Sequence, residues 1–484
     1  MSTKKIGIGL TIIGVSGLAL SLLVDLLLSG DNRIGASQLL GIQAGILTAV
    51  FGLSLWLISP EKQISVSIRG SLEKLYSVPS AIWIILGFLL VYVLLFLMPM
   101  FLNSERSIIY FNRYIPDKYP IGLDLQITMG SVTPWATTGQ SPYPQLFYPP
   151  LTYIIFSPMT LISYPLSYFV ITALTVLSYC LLAGLAALQA GLKKDYSLLM
   201  LVFISGLVSY GFQFELERGQ FNVITFFLCM LSIYIFHQYD QFRYFAYLLF
   251  SISIQIKVYP AIFIFMFIRD WRDWKANLRR MAGLGLFNFA LLFVLGYDNF
   301  VGFWKAVLVQ LRTPGWSWNG NHSIQAFVFN FLKDGYGLVS SETLTLLQQN
   351  ANWITRFLLV AILGCVLAVV ARAYVRKEAG INPYVLLACT LGALTIPASN
   401  DYTLPVLVAP LAIFYCNLPK IADFRNRPLA ILLLLVISTA YSSLLYPFKY
   451  KPYFMNNSFP PLFIILVALT AIYFLKKQEQ NETL

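Results

Sequence analysis

Phe111–Thr160 reads FNRYIPDKYPIGLDLQITMGSVTPWATTGQSPYPQLFYPPLTYIIFSPMT, a polar, aromatic, Pro- and Gly-rich stretch between long apolar segments. It carries Arg113, Asp117, Lys118 and Asp124. Unpaired charges are costly in hydrocarbon, so such a stretch lies outside the bilayer core or lines a cavity. A long connection without periodicity is usually functional or disordered, and the density of aromatics argues against disorder. The expected fold around it is an all-α polytopic membrane protein.

Composition agrees. Of 484 residues, 58% are hydrophobic and only 11% charged, with mean hydropathy +0.71, which excludes an ordinary soluble enzyme. The net charge of +12 fits cytoplasmic loops and anionic lipid rather than nucleic acid, because the basic residues sit between apolar runs. Cys180, Cys229, Cys365, Cys389 and Cys416 fall within apolar runs and show neither metal-ligand nor disulfide spacing. The N-terminal run to Leu28 is too long for a signal peptide core and is expected to stay as an anchor.

Runs long enough to span a bilayer, about 17–25 residues, fall at about 6–28, 37–59 and 80–102. With Lys4 and Lys5 inside, three crossings place the central stretch outside. The segment Tyr148–Ile162 is short, starts Tyr-Pro-Pro and carries Pro158, so it is expected to dip in from the outer face without crossing. Spans follow at about 166–190, 196–212 and 221–237, with the turn Gln213–Gln220 outside. The run 243–268 is interrupted by Lys257 and Pro260 and reads as two half-helices that go up and come back. The basic cluster Arg269–Arg280 then falls inside. Further spans are expected at 281–297, 353–373, 382–398, 402–418, 428–446 and 459–475. This map leaves the cytoplasmic side strongly positive and the outer side nearly balanced. The alternative, with 150–162 and 243–268 both crossing fully, moves few charges.

Several polar residues stand out on this map. Asp124, beside apolar residues near the membrane surface, either takes a proton from a hydroxyl acceptor or caps a helix. Asp117, next to Lys118, reads as a solvated ion pair. Phe214–Asn222, FELERGQFN, is either a charged turn or a polar pocket. In a pocket, Arg218 would clamp a phosphate through its planar fork and Gln220 and Asn222 would bind sugar hydroxyls. Lys257 lies within an apolar run and either needs an anion, a snorkelling route or a helix break, or forms a buried pair with a span acid. His322 is suited to phosphate or a sugar hydroxyl, and Asp401 either starts a helix or faces the site. There is no P-loop, GxGxxG, GxSxG, HExxH or Asp-x-Asp pair. No metal and no cofactor is expected.

In this order the residues resemble the C superfamily of membrane glycosyltransferases, and more narrowly the polyprenol-phosphate-mannose-dependent alpha-mannosyltransferases, glycosyltransferase family 87. The motifs are Asp124 in the first large external loop, Tyr148-Pro149-Pro150, Gly219-Gln220-Phe221-Asn222, Lys257-Val258-Tyr259-Pro260 and Asn321-His322-Ser323. The resemblance implies a C-type glycosyltransferase fold of about 12–14 membrane segments, with large external loops carrying short interfacial helices. It also implies a polyprenyl-phosphate sugar donor, an extracytoplasmic site, inversion and Asp124 as general base. Arg218, Lys257 and His322 are then expected to bind the donor phosphate. Tyr148, Gln220, Asn222, Tyr259, Asn321 and Asp401 are expected to bind sugar or acceptor. Many relatives have a His where this chain has Ser399-Asn400-Asp401-Tyr402, and the first two spans look like an addition.

The expected organisation is a two-span addition at 1–60, a cytoplasmic interfacial linker at 61–79, a catalytic module at 80–280 with an external loop at 103–150, and a C-terminal module at 281–484 with an external segment at 298–352. Expected partners are the lipid-linked donor, a lipid or glycan acceptor and membrane lipids, with no nucleic acid. The expected location is the inner or plasma membrane, multi-pass. A transporter or flippase of lipid-linked sugars would instead favour an inverted repeat and midplane charges. A surface polysaccharide polymerase or ligase would use a lipid-diphosphate donor.

Overall fold

The computed structural model describes residues 3–28, 49, 122–143, 148–190, 199, 202–203, 206–207, 209–312, 320–334, 339–377, 380–396, 399–417 and 459–475. The spans expected at 37–59, 80–102 and 428–446, part of 196–212, and the Asp117–Lys118 pair lie outside them.

The described residues are helical, and the β-pairing among them is a single bridge between Asn321 and Asn400. The helices are α1 (Thr3–Leu28), α2 (Leu123–Thr138), α3 (Pro150–Phe156), α4 (Tyr164–Ala190), α5 (Tyr210–Arg218), α6 (Asn222–Gln238), α7 (Arg243–Ile256) and α8 (Trp274–Leu291). After them come α9 (Tyr297–Arg312), α10 (Ile324–Asp334), α11 (Ser341–Gln349), α12 (Ala351–Arg376), α13 (Pro383–Leu394), α14 (Val408–Asn417) and α15 (Phe459–Leu475). By length and composition α4 and α12 can each cross a membrane, and α5 with α6 passes the same test as a pair bent by 109°. At 1.5 Å per residue the 26 residues of α12 reach about 39 Å, more than the roughly 30 Å hydrocarbon core.

Exposure shows what solvent these helices face. Along α12, Phe357, Val360, Leu363 and Leu367 point outward, and α4 does the same with Leu166, Phe169, Leu177 and Leu181. Rows of exposed large apolar side chains on long helices fit lipid, not water. Inside, one apolar core joins Phe226, Phe263 and Phe267 to Val366, Leu387 and Leu466, so side chains from both sides of residue 280 share it.

The middle of the chain follows the helix-breaking chemistry. Pro260 has no N–H to give Ile256, and its ring would crowd that carbonyl. Accordingly α7 stops at Ile256, Lys257 is extended, and a 3-10 helix runs over Tyr259–Met266. The Tyr259 hydroxyl donates to the Asn222 carbonyl at the start of α6, while His237 at its other end meets the Met266 carbonyl at 2.8 Å. Arg243 and Arg269, before and after this segment, both bond the Asp240 carboxylate. Residues 243–268 therefore go out along α6 and return. The guanidinium groups of Arg243 and Arg269 hold the Asp240 carboxyl below the usual carboxylate range.

Two expectations change. Gln213–Gln220 is not a turn: Tyr210–Arg218 is helical, because Ser209 caps it through Phe212 N–H and Gly219 ends it. The central polar stretch is not irregular from Leu123 onward: α2 occupies Leu123–Thr138 with Pro134 inside it. The stretch Pro150–Leu161 forms α3 and a five-residue 3-10 helix, short for a crossing.

Candidate active site

Two glycines bring the central stretch against α5. Gly219 ends α5 with φ +62°; its N–H donates to Leu216 O, and Gln220 N–H donates to Glu215 O, a Schellman closure. Gly122 starts α2 with φ +76° and donates its N–H to Glu217 O at 2.6 Å. A Cβ on Gly219 would lie 2.9 Å from that of Leu125, and one on Gly122 would run into Tyr164 and Tyr168. The positive N-terminal end of α2 thus abuts the negative C-terminal end of α5. Asp124 stands in the first turn of α2 and Arg218 in the last turn of α5, each where the helix dipole favours its charge.

Asp124 carries no capping bond of its own. Its Oδ2 accepts from Gln220 Nε2 at 2.5 Å, and its Oδ1 lies 3.4 Å from Arg218 Nη1. The two side chains keep 21% and 15% exposure, so the pair is sheltered but open. Arg218 also lies 3.5 Å from Glu217 and stacks on Phe214 at 5.1 Å.

Lys257 reaches the same point from the helix break. Its Nζ donates to Gln220 Oε1 at 2.9 Å and to Tyr148 Oη at 3.4 Å. It lies between the Tyr148 and Phe221 rings at 4.9 and 4.8 Å, a cation–π setting that compensates desolvation. Tyr148 arrives through Pro149 and Pro150, which fix the start of α3, and Thr152 then bonds the Gln255 carbonyl two residues before Lys257. Beneath them Tyr143, Tyr153, Phe156, Phe221 and Phe303 form an aromatic core, to which α9 contributes Phe303.

The Tyr259 hydroxyl donates to the Asn222 backbone carbonyl, and both residues are buried at the α6 bend. His322 and Asp401 form a buried pair, Nε2 to Oδ1, at 2.9 Å. Backbone bonds from His322 to Ser399 and from Asp401 to Gly320 clamp these two stretches of chain together, with Asn321 opposite Asn400. The helix cap there is Asn400, not Asp401. This clamp adjoins α5: the Asp401 carbonyl faces Gly211, and Tyr402 packs on Phe214 and lies within electrostatic reach of Asp124 and Arg218.

Three contributors escaped the sequence reading. Glu215, fully buried, accepts Val223 N–H at 2.8 Å and caps α6 across the bend, with the Lys257 charge close enough to act on it. Phe221 and Tyr402 sat inside motifs already noted, but nothing local marks an aromatic as a site wall. Among the described residues no three His, Cys, Asp or Glu side chains gather as a metal site would require.

The fold is that of an integral membrane protein, and its polar cluster lies at one end of α6. Its family follows from comparison. The family model for glycosyltransferase family 87 matches residues 146–399, just over half of the chain, and the chain belongs to that family. It is accordingly a membrane glycosyltransferase. Arg218, Gln220, Lys257 and His322 fall within the match, while Asp124 precedes it. Comparison with curated proteins and with solved structures gave no match.

Proposed function

We propose that the protein transfers a sugar, mannose by family resemblance, from a polyprenyl-phosphate donor to a hydroxyl of a lipid or glycan, on the extracytoplasmic face and with inversion. The observation that carries this reading is the meeting of Asp124, Arg218, Gln220 and Lys257, drawn from three distant stretches, at one end of α6. The basic segment around Arg243 and Arg269 lies at the opposite end, about 25 Å away over 17 residues at the helical rise. That polarity supports an external site and a cytoplasmic basic end. The fold proposed for the whole chain keeps 12–14 membrane segments.

In the proposed step Asp124 accepts the proton of the acceptor hydroxyl as its oxygen attacks the anomeric carbon. The bond from that carbon to the phosphate oxygen breaks, and its electron pair leaves with the phosphate. Arg218 and Lys257 stabilise that leaving group, a phosphate monoester that gains a second negative charge as the sugar leaves the phosphodiester donor. His322 acts here through the clamp with Asp401, which shapes the wall beside Arg218. One carboxylate suffices, because inversion needs no covalent sugar intermediate.

The test is transfer by the purified protein in nanodiscs from radiolabelled polyprenyl-phosphate mannose to membrane-lipid and glycan acceptors. Transfer is expected, and Asp124→Asn is expected to lower it by about 10²–10⁴. Wild-type turnover by Asp124→Asn removes Asp124 as the base. Transfer only from a lipid-diphosphate donor replaces this reading with a polymerase or ligase.

A further inference from the structure

Asp124 and Lys257 do not form an ion pair. Between them stands one neutral amide, Gln220, with Nε2 on the Asp124 carboxylate and Oε1 on the Lys257 ammonium. An ammonium only donates and an ionised carboxylate only accepts, so the amide has one permitted orientation. Gln220 is itself fixed: it is 2% exposed, its N–H closes the Schellman turn on Glu215, and its carbonyl meets Thr175. Nothing in its geometry resembles a side chain reaching for a ligand; both ends of its amide are engaged by protein charges.

We infer that Gln220 is a positioning residue, not a sugar ligand, which holds the proton acceptor and the donor-binding cation apart. This rests on the reading of Asp124 as base. A direct Asp124–Lys257 pair would satisfy both charges and withdraw them from substrate. The amide ties both to one rigid turn and anchors Oδ2, which leaves Oδ1, at the longer 3.4 Å distance from Arg218, as the oxygen that receives the proton. The Gly219-Gln220 sequence then has a joint purpose: the glycine makes the left-handed turn, and the next residue is delivered between the two charges.

Gln220→Glu is the decisive variant, since it keeps an acceptor for Lys257 but replaces the N–H on Asp124 with a second carboxylate that opposes its charge. It is expected to lower kcat about ten- to a hundredfold, the worth of a hydrogen bond to a charged group, with donor KM within about threefold of wild type. Gln220→Leu loses both ties and is expected to lower kcat and raise donor KM together. Wild-type kcat in Gln220→Glu with a raised acceptor KM overturns the inference and returns Gln220 to substrate binding. Thermal unfolding supplies a readout that needs no substrate. Gln220→Leu should lower Tm clearly in the wild type and little in an Asp124→Ala, Lys257→Met background, because its partners are then gone. An equal Tm loss in both backgrounds overturns the tie. Should Asp124→Asn turn over normally, the base reading fails while the unfolding cycle still decides whether Gln220 joins the two charges.

Discussion

The Thr152 hydroxyl donates to the Gln255 carbonyl at 2.6 Å, across 103 residues of sequence, and both groups are buried. This bond fastens the first turn of the Tyr-Pro-Pro helix to the last turn of the helix that precedes Lys257. It sets the separation between Tyr148 and Lys257, which meet at 3.4 Å. Thr152→Val keeps the shape and leaves that carbonyl without its side-chain partner. We expect a loss of about 1–3 kcal/mol in stability and weaker donor binding. Chemical denaturation of the detergent-solubilised protein measures the first; an unchanged midpoint would show that the bond is not a structural tie.

Gly219 lies at φ +62° with no room for a Cβ beside Leu125. Gly219→Ala adds a left-handed strain of about 1–2 kcal/mol and pushes α2 away from α5. Transfer should fall more steeply than stability, because Asp124 then shifts relative to Gln220 and Arg218. A variant with wild-type turnover and a crystal or cryo-EM structure unchanged at Asp124 would contradict the argument.

Lys257→Met keeps most of the stem and removes the charge. Lys257 is held by Gln220, Tyr148 and two aromatic rings, so the fold should lose about 1–3 kcal/mol for the buried Gln220 acceptor left without its donor, while donor affinity drops at least tenfold, as expected for loss of a charged contact worth about 1.5–3 kcal/mol. Lys257→Arg should recover part of the affinity, since a planar fork fits a slot between Tyr148 and Phe221 differently from an ammonium. Binding of a labelled polyprenyl phosphate in nanodiscs is the measurement. Equal affinity for wild type and Lys257→Met removes Lys257 from the donor site.

Asp124 and His322 belong to the outer face on the proposed topology, and Arg272 and Arg376 to the cytoplasmic face. Single cysteines introduced beside each, in a background without the five native cysteines, should react with an impermeant maleimide only at the first two. Labelling at Arg272 from outside would invert the map.

The sequence by itself determined the solvent and the punctuation. Long apolar runs predicted helices at 166–190 and 353–373, and α4 and α12 follow them closely, because a bilayer requires every backbone group to be satisfied within its own segment. Pro260 and the lone charge of Lys257 marked a break that the structure places at Lys257, since a proline acts on its own helix. Membership of the family was legible too, from short motifs in the right order. The sequence could not show which motifs meet. Tertiary structure decided that Asp124, Arg218, Gln220 and Lys257 share one point, and that His322 turns to Asp401. It also decided that Phe214–Asn222 is a helix end folded back by 109°, not a loop between two straight spans. Periodicity reports the face a residue presents along its own helix. The distance between two such faces depends on bends at Gly122 and Gly219 and on bonds such as Thr152 to Gln255, which join residues far apart in the chain and leave no local pattern.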